Sequence, residues 1–421
     1  MTARTRPSGV RHRAAAGEPL LFVGASQVVT CETATMSSVR TGTAVLVEAG
    51  RIAAVGPAAG LESTHAARGV RIDCGSGVLT PGFVDSHTHA VFGGWRSGEY
   101  AQRCRGVSYM EIARSGGGIR ASVRDVRART EDDLVERTRE RLAEMLALGT
   151  TTAEVKSGYG LDLETELKQL RVVRRLANTQ PIDLVSTYLG AHEVPVEYRG
   201  RADEYVDYVT TEVIPAVAAE RLAVFCDVFM EPGVFDARQA RQVLEAGAAL
   251  GLAPKLHADE LEGSGGAELA VELRAASADH LGAISEAGIA ALAESTTVAT
   301  LLPATLFFLG RRGYAPARRL WDAGATVALA TDFNPGSAPS PSMPLVLTIA
   351  CSQMGLAPIE ALWAATAGGA RALRLEDGRG TLAPGAPADL VLWDCREHEE
   401  IPYRFGRPPV RGVWKRGERV I

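Results

Sequence analysis

The segment FVDSHTH, residues 83–89, decides both the fold class and the chemistry expected of this chain. Phe83 and Val84 form an apolar start typical of a short buried strand, and His87 and His89 follow two residues apart at its end. Residues two apart on an extended chain point to the same side, so both imidazoles can face one metal ion. Barrels of alternating strands and helices place their chemistry at the carboxyl ends of the strands. The segment therefore predicts a metal site at the end of a first barrel strand.

Seven further apolar runs in the middle of the chain have the length of buried strands. They are residues 151–155, 184–189, 224–229, 254–256, 276–278, 298–302 and 326–330. Amphipathic stretches such as residues 130–148 and 237–250 separate most of them and predict helices. Eight strands alternating with helices are what a closed parallel (β/α)₈ barrel of the TIM type requires. A doubly wound open sheet is the alternative, but no GxGxxG turn follows the first strand.

The two ends of the chain differ from this alternating middle. Residues 18–80 and 375–421 consist of short apolar runs cut by glycine, a pattern typical of hairpins and sandwiches. Chain ends often lie close together, so we expect one small β-sandwich built from both ends. The predicted domains are this sandwich and a barrel over residues 81–374 that carries the predicted metal site. The Arg-rich residues 1–17 are expected to be a disordered extension.

Composition and charge exclude several classes of protein. The 421 residues carry a formal net charge of −5, and no long run of lysine and arginine follows the first residues, which argues against a nucleic-acid partner. The most apolar stretch, residues 298–309, is interrupted by Pro303 and is too short to span a bilayer. Six scattered cysteines without paired spacing indicate reduced thiols. We therefore expect a cytoplasmic enzyme that acts on a small molecule, without nucleic acid or membrane.

Two further residues complete a candidate metal site. His257 ends one predicted strand and Asp332 ends another, as His87 and His89 do. A single histidine is more often a hydrogen-bonded core residue, but four such side chains at strand ends are not explained that way. Three imidazoles and one carboxylate suit zinc or iron and poorly suit calcium or magnesium. We expect one Zn²⁺ or Fe³⁺ per chain.

This pattern resembles the amidohydrolase superfamily. Its members carry HxH on the first barrel strand, histidines on the fifth and sixth, and an aspartate on the eighth. The matching residues here are His87, His89, His257, His280 and Asp332. Members with two metals usually carry a bridging lysine on the fourth strand. The predicted fourth strand, residues 224–230, has none, so the resemblance implies a single metal.

Six segments in order along the barrel are similar to the imidazolonepropionases, a hydrolase family of histidine degradation. They are HTHAVFGGWR (87–96), EVKSGYGL (154–161), YLGAHEVP (188–195), HADEL (257–261), ADHL (278–281) and TDFNPGS (331–337). The resemblance implies that water opens the ring amide of 4-imidazolone-5-propanoate to give N-formimino-L-glutamate. It also implies a homodimer, which is common for this architecture. One departure is Trp95, where family members typically carry a small residue.

Ring opening needs a base and an acid beside the metal, because a proton must pass from water to the departing nitrogen. The candidates are Glu260, which lies three residues beyond a metal ligand, His280 and Asp332. The sequence favours Glu260 or His280 as the base and leaves the assignment open.

The substrate carries a propionate, and an arginine can bind a carboxylate at two points. The resemblance assigns this role to Arg96, with Tyr159 and His192 closing on the ring and Glu260 also in contact. The turn that follows Asp332 is expected to offer backbone donors to a substrate or product carboxylate. The turn residues concerned are Asn334, Gly336 and Ser337.

Two other functions remain open at this point. Another amidohydrolase, such as a nucleobase-type deaminase, would share the metal ligands, so only Arg96, Tyr159 and Asn334 separate the two activities. A non-catalytic barrel that serves as an assembly scaffold is the alternative of another class. Such scaffolds usually lose metal ligands, and all four are present here.

Overall fold

Residues 18–65, 69–107, 111–112, 115–310 and 313–421 are described by a computed structural model. The predicted extension, residues 1–17, lies outside the described residues. At the centre, eight parallel strands follow one another in sequence order. They are Phe83–Asp85, Thr150–Lys156, Asp183–Ala191, Phe225–Met230, Leu256–Ala258, Ser277–His280, Val298–Leu301 and Val327–Leu329. A two-residue strand, Ala253–Pro254, extends the pairing beside the fourth.

The first and eighth strands meet at the mouth of the barrel. An isolated parallel bridge joins Thr88 to Phe333. On either side of it, the Asp332 amide donates to the His87 carbonyl at 3.0 Å and the His89 amide donates to the Phe333 carbonyl at 2.9 Å. The residues that close the barrel are thus the ones that carry the predicted ligands.

Helices cover the outside of the barrel. The α-helices are Ala58–His65, Ser97–Cys104, Ile119–Ala128, Glu131–Ala147, Leu163–Ala177, Ala202–Tyr208, Ile214–Ala219, Ala237–Ala249, Gly266–Glu272, Glu286–Ala293, Pro303–Phe308, Ala317–Asp322, Met343–Met354, Pro358–Trp363, Gly369–Ala372 and Glu400–Tyr403. Short 3₁₀ turns occupy Met36–Ser38 and Val196–Tyr198, and π-helical turns occupy Val209–Val213 and Ala364–Gly368. Among the described residues, no helix is long and apolar enough to cross a membrane.

Local sequence explains where the two predicted helices begin. The Thr130 hydroxyl accepts a hydrogen bond from the Asp133 amide at 3.2 Å and starts the helix Glu131–Ala147. Asp236 and Gln239 form a reciprocal capping box ahead of Ala237–Ala249. Such caps satisfy amides that have no partner within the helix, so both helices start within one residue of the prediction.

The chain ends form two further sheets. The four-stranded sheet contains Arg51–Pro57, Thr43–Glu48, Leu20–Val23 and Val70–Asp73. The six-stranded sheet contains Glu418–Arg419, Val410–Lys415, Leu390–Trp393, Val78–Pro81, Gln27–Val29 and Val39–Arg40. The N-terminal strand Val78–Pro81 pairs antiparallel with the C-terminal strand Leu390–Trp393. The helix Ala58–His65 interrupts an N-terminal region predicted to contain strands alone.

One apolar core lies between the two end sheets. It includes Phe22 and Val45 from the four-stranded sheet and Leu79 and Trp414 from the six-stranded sheet. The rings of Phe22 and Trp414 meet edge to face, with centroids 5.1 Å apart. The predicted fold class, a (β/α)₈ barrel with a small sandwich built from both chain ends, is confirmed. The domain boundaries at residues 80 and 375 stay a prediction.

Candidate metal centre

Three predicted ligands converge at the mouth of the barrel. His87 Nε2 lies 3.3 Å from His89 Nε2, and Asp332 Oδ1 lies 3.5 Å and 3.4 Å from these two nitrogens. All three residues are buried. Donor atoms this close can share one ion, because zinc ligands at about 2.0–2.2 Å from a metal lie roughly 3–4 Å from one another.

The other two histidines complete the cluster. Each of His87, His257 and His280 offers a ligand nitrogen, and these atoms lie within 4.8 Å of one another. The His87 and His257 ring centroids are 4.5 Å apart. Within the described part of the chain, His257 Nε2 is buried and has no hydrogen-bond partner. A buried nitrogen without a partner is costly, which is the situation a metal ion would relieve.

The backbone turns sharply where two of these side chains enter the site. Asp332 has φ +54° and His280 has φ +81°, and both follow or end a barrel strand. Side chains other than glycine rarely adopt positive φ, and such strained residues concentrate at functional sites. The strain here turns each side chain from the strand direction towards the cluster.

Two buried carboxylates hold the histidines from behind. Asp279 Oδ2 is hydrogen-bonded to His87 Nδ1 at 2.7 Å, and Asp227 Oδ2 lies at ion-pair distance, 3.0 Å, from His257 Nδ1, which makes no hydrogen bond within the described residues. A carboxylate that binds Nδ1–H fixes the tautomer and leaves Nε2 free to bind a metal. The donor set and its supporting carboxylates therefore fit a zinc or iron ion.

Beneath these carboxylates lies a layer of buried charge. Lys156 Nζ is 2.7 Å from Asp227, 3.0 Å from Glu154 and 3.6 Å from Asp279. Lys255 Nζ lies 3.5 Å from Glu154 and 3.8 Å from Asp279. Burial alone would lower the pKa of Lys156, but the surrounding carboxylates raise its pKa above the usual value. The sequence analysis missed this layer, although charged residues inside apolar strands could have indicated it.

The ionisation of the cluster suits metal binding. Burial, followed by neighbouring positive groups, lowers the pKa of His87 and of His89 well below the usual value. Burial also lowers the pKa of His280 well below its usual value and the pKa of His192 to about 3. Neutral imidazole is the form that binds a metal. Burial raises the pKa of Asp332 to about 6, because its effect exceeds that of the hydrogen bond from Thr305, which lowers the pKa.

Arg96 lies on the substrate side with an unsatisfied guanidinium. Its side chain is 8% exposed, and Nε lies 3.5 Å from Glu99 Oε2. Within the described residues, Nε and Nη1 are buried and make no hydrogen bond. Gly336 packs directly against the Arg96 guanidinium. A Cβ atom on residue 336 would fall 1.2 Å from Arg96 Nη2. Because Gly336 has no side chain, it leaves the space that the guanidinium occupies. Nε and Nη1 of Arg96 can donate to an acceptor on a bound ligand.

Two predicted ring contacts also reach the cluster. The His192 ring stacks on the His89 ring, with centroids 5.1 Å apart and planes 16° apart. His192 Nδ1 is fixed 3.0 Å from the Gly158 carbonyl. The Tyr159 ring lies 5.9 Å from that of His89. Both side chains therefore border the histidine cluster, and their contact with a substrate ring stays a prediction.

The turn after Asp332 is closed by its own hydrogen bonds. The Gly336 and Ser337 amides each donate to Asn334 Oδ1 at 2.8 Å, and Asn334 Nδ2 donates to Ser337 Oγ at 2.9 Å. The predicted backbone donors are therefore used within the turn, and their contact with a substrate or product carboxylate stays a prediction. The turn instead presents Gly336 to Arg96.

The remaining predicted residues lie near the same centre. Glu260 Oε2 lies 3.7 Å from His280 Nε2. Trp95 is about half exposed and packs edge to face on Phe92, with centroids 4.9 Å apart. Its ring also lies 5.9 Å from that of Phe333. Trp95 therefore covers the outer rim, whereas Glu260 enters the site.

Comparisons with known proteins agree with this geometry. A sequence profile described as the amidohydrolase family matches residues 110–421. An imidazolonepropionase of Myxococcus xanthus is 49% identical over 383 residues, covering 91% of this chain and 91% of that protein. An imidazolonepropionase of Symbiobacterium thermophilum is 47% identical over 412 residues, covering 96% and 97%. A third, from Geobacillus kaustophilus, is 48% identical over 380 residues, covering 90% and 89%.

Solved structures support the fold. An adenosine deaminase from Xanthomonas campestris, solved with zinc bound, superposes with a TM-score of 0.68 at 22% identity, covering 95% of this chain and 92% of that chain. An ochratoxinase of A. niger superposes with a TM-score of 0.69 at 19% identity, covering 96% of each chain. At such low sequence identity, these structural similarities support the barrel architecture and do not indicate a substrate.

Proposed function

The chain belongs to the amidohydrolase family and, within it, to the imidazolonepropionases, and we propose that it opens the ring amide of 4-imidazolone-5-propanoate. It is a hydrolase of carbon–nitrogen bonds. In the proposed reaction, water forms a bond to the ring carbonyl carbon, the bond from that carbon to the ring nitrogen breaks, and a proton passes to the nitrogen. The product is N-formimino-L-glutamate. The observation that carries the proposal is the Arg96 guanidinium, whose buried Nε and Nη1 make no hydrogen bond within the described residues.

The proposal includes one Zn²⁺ or Fe³⁺ per chain. His87, His89, His257 and Asp332 would hold it, supported by the carboxylates behind the histidines. A bound ion of this kind acidifies water and polarises a carbonyl oxygen. Asp332 suits the ligand role, since Oδ1 faces the imidazoles and Oδ2 accepts a hydrogen bond from the Thr305 hydroxyl at 2.5 Å.

Glu260 and His280 are proposed to move the proton. They lie 3.7 Å apart, and neither belongs to the proposed set of four ligands. One of the pair takes the proton from the attacking water, and the pair delivers it to the departing ring nitrogen. Both oxygens of Asp332 are already engaged, which supports the pair over Asp332 as the base.

Arg96 is proposed to bind the propionate. Its free donors can make the planar two-point contact that a carboxylate accepts. Tyr159 and His192 are proposed to border the imidazolone ring, supported by their contacts with His89. Asn334, Gly336 and Ser337 contribute by holding the turn that leaves room for Arg96.

A substrate panel tests this specificity. We expect turnover of 4-imidazolone-5-propanoate and a loss of kcat/KM of at least roughly tenfold for the imidazolone ring without its propionate. Cytosine and guanine should not react, because a neutral base offers no carboxylate to the Arg96 Nε and Nη1 donors, which are buried without a hydrogen bond within the described residues. Turnover of a nucleobase in preference to the imidazolone would refute the proposal and favour a deaminase.

Two further expectations belong to the proposal. A cytoplasmic location is supported by six cysteines that are all unpaired. The homodimer expected from the resemblance stays a prediction, which sedimentation velocity at micromolar concentration would test.

A further inference from the structure

We propose that Glu231, a residue outside the predicted site, is a positioning residue that fixes Glu260 for proton transfer. Glu231 directly follows the fourth barrel strand, Phe225–Met230, and is 5% exposed. It lies on a tight turn in which the Val234 amide donates to the Glu231 carbonyl at 2.9 Å. The side chain is therefore anchored to rigid backbone at its base.

The Glu231 carboxylate accepts hydrogen bonds from three consecutive backbone amides, those of residues 260–262, in the loop that follows the fifth barrel strand. Its Oε2 accepts from the Glu260 amide at 3.2 Å, and its Oε1 accepts from the amides of Leu261 and Glu262 at 3.2 Å and 2.8 Å. Hydrogen bonds to an ionised acceptor are roughly twice as strong as neutral ones. One side chain on the fourth strand thus holds the loop that follows the fifth.

The same loop is fixed from its other side by the end of the sixth strand. The Ala283 amide donates to the Asp259 carbonyl at 2.7 Å. Gly282 packs so closely that a Cβ there would lie 2.5 Å from the Glu260 carbonyl oxygen. The Glu260 backbone is therefore held at its amide by Glu231 and at its carbonyl by the sixth strand.

This double restraint fixes the distance between the proton-handling groups. His280 belongs to the sixth strand, and its Nε2 lies 3.7 Å from Glu260 Oε2. Without Glu231, the amides of residues 260–262 would lose their acceptor, and Glu260 could swing away from the cluster even though Asp259 still accepts from the amides of Ser264, Gly266 and Ala267. A displacement of about 1 Å can cost on the order of a hundredfold in rate. The inference rests on the proposed role of Glu260.

The test compares Glu231→Ala and Glu231→Gln with Glu262→Ala, an exposed residue of the same loop. Glu231→Ala should lower kcat roughly ten- to a hundredfold, change KM less than about threefold and leave metal content unchanged. Hydrogen exchange of the amides at 260–262, followed by mass spectrometry, should become at least roughly tenfold faster. The kcat and the exchange rates of Glu231→Gln should lie between those of Glu231→Ala and the wild type, because the glutamine amide keeps one acceptor oxygen. Glu262→Ala should match the wild type.

A fourth variant, Glu260→Gln, separates this inference from the proposed function. If Glu260→Gln is impaired while Glu231→Ala keeps kcat within about twofold of wild type, the role of Glu231 is refuted and that of Glu260 stands. Unchanged exchange at 260–262 in Glu231→Ala would also refute it. If Glu260→Gln itself turns over normally, the proposed proton transfer fails, and the catalytic role of Glu231 fails with it.

Discussion

Arg96 shows how a single residue separates recognition from chemistry. Its guanidinium is shielded, has free donors and lies over Gly336, where any larger residue would collide with it. The propionate that it would bind does not change charge during ring opening. Its interaction is therefore present equally in the ground state and in the transition state, and such uniform binding acts on KM more than on kcat.

We predict that Arg96→Ala lowers kcat/KM roughly ten- to a hundredfold, corresponding to about 1.5–3 kcal/mol, mainly through KM. Arg96→Lys should recover little, since an ammonium cannot make the planar two-point contact. Steady-state kinetics with metal analysis measures both effects, and metal content should not change. Normal KM with a slow kcat would move Arg96 into the catalytic group.

Lys156 tests the buried charge layer beneath the histidines. Its removal would leave Asp227 without its closest cation at 2.7 Å, in a fully buried environment. We predict that Lys156→Met lowers the unfolding free energy of the metal-free protein by about 3–5 kcal/mol. Lys255→Met is the matched control, with a smaller effect because its ion pairs are longer, at 3.5 Å and 3.8 Å. Equal losses in the two variants, measured by chemical denaturation, would refute the ranking.

At the scale of elements, the barrel strands were predictable and the contacts between their loops were not. Apolar runs bounded by polar residues located all eight strands, and the seventh, for example, differs by one residue at its end. The Glu231 contacts could not be foreseen, because they join a loop to a residue about thirty positions earlier. The Gly336 and Ser337 amides donate to Asn334 Oδ1, an Asx-type turn that the sequence Asn-Pro-Gly-Ser could have indicated.

A second element-scale feature joins the barrel to the C-terminal sheet. Asp183 begins the third barrel strand, and its Oδ2 lies 2.7 Å from Lys415 Nζ and 2.9 Å from Arg379 Nη1. Partial burial would raise the pKa of Asp183, but the Lys415 and Arg379 charges outweigh it and lower the pKa below the usual 3.8. The ionised carboxylate therefore stabilises the folded chain.

This shift predicts a pH-dependent effect of Asp183→Asn. A carboxylate whose pKa is lowered by folding contributes stability above its unfolded pKa and loses it as the pH falls through the folded value. The variant should lose about 1–2 kcal/mol at pH 7, and its difference from wild type should shrink below about pH 4. Denaturation at several pH values measures this. The control is Asp132→Asn, which removes an exposed ion pair with Arg175 and should change stability by less than about 0.5 kcal/mol. A stability difference between Asp183→Asn and the wild type that does not depend on pH would contradict the prediction.

At the scale of the whole molecule, the barrel carries the candidate site and the sheets of the chain ends form a separate core. The barrel brings ligands from its first, fifth and eighth strands to one mouth, although they lie as far apart in sequence as His87 and Asp332. The paired chain ends build a separate core at the edge of the barrel. The pairing of the first strand with the eighth therefore brings His87 and His89 next to Asp332.

We propose a hydrolase that uses one metal ion held by three histidines and an aspartate. Titration of metal-free protein with Zn²⁺ or with iron, while the ring opening of 4-imidazolone-5-propanoate is followed, tests this proposal. We expect the rate to rise linearly and to level off at one metal per chain, and we expect His257→Ala neither to bind the metal nor to turn over. Full turnover without metal, or a break at two metals per chain, would overturn the proposal.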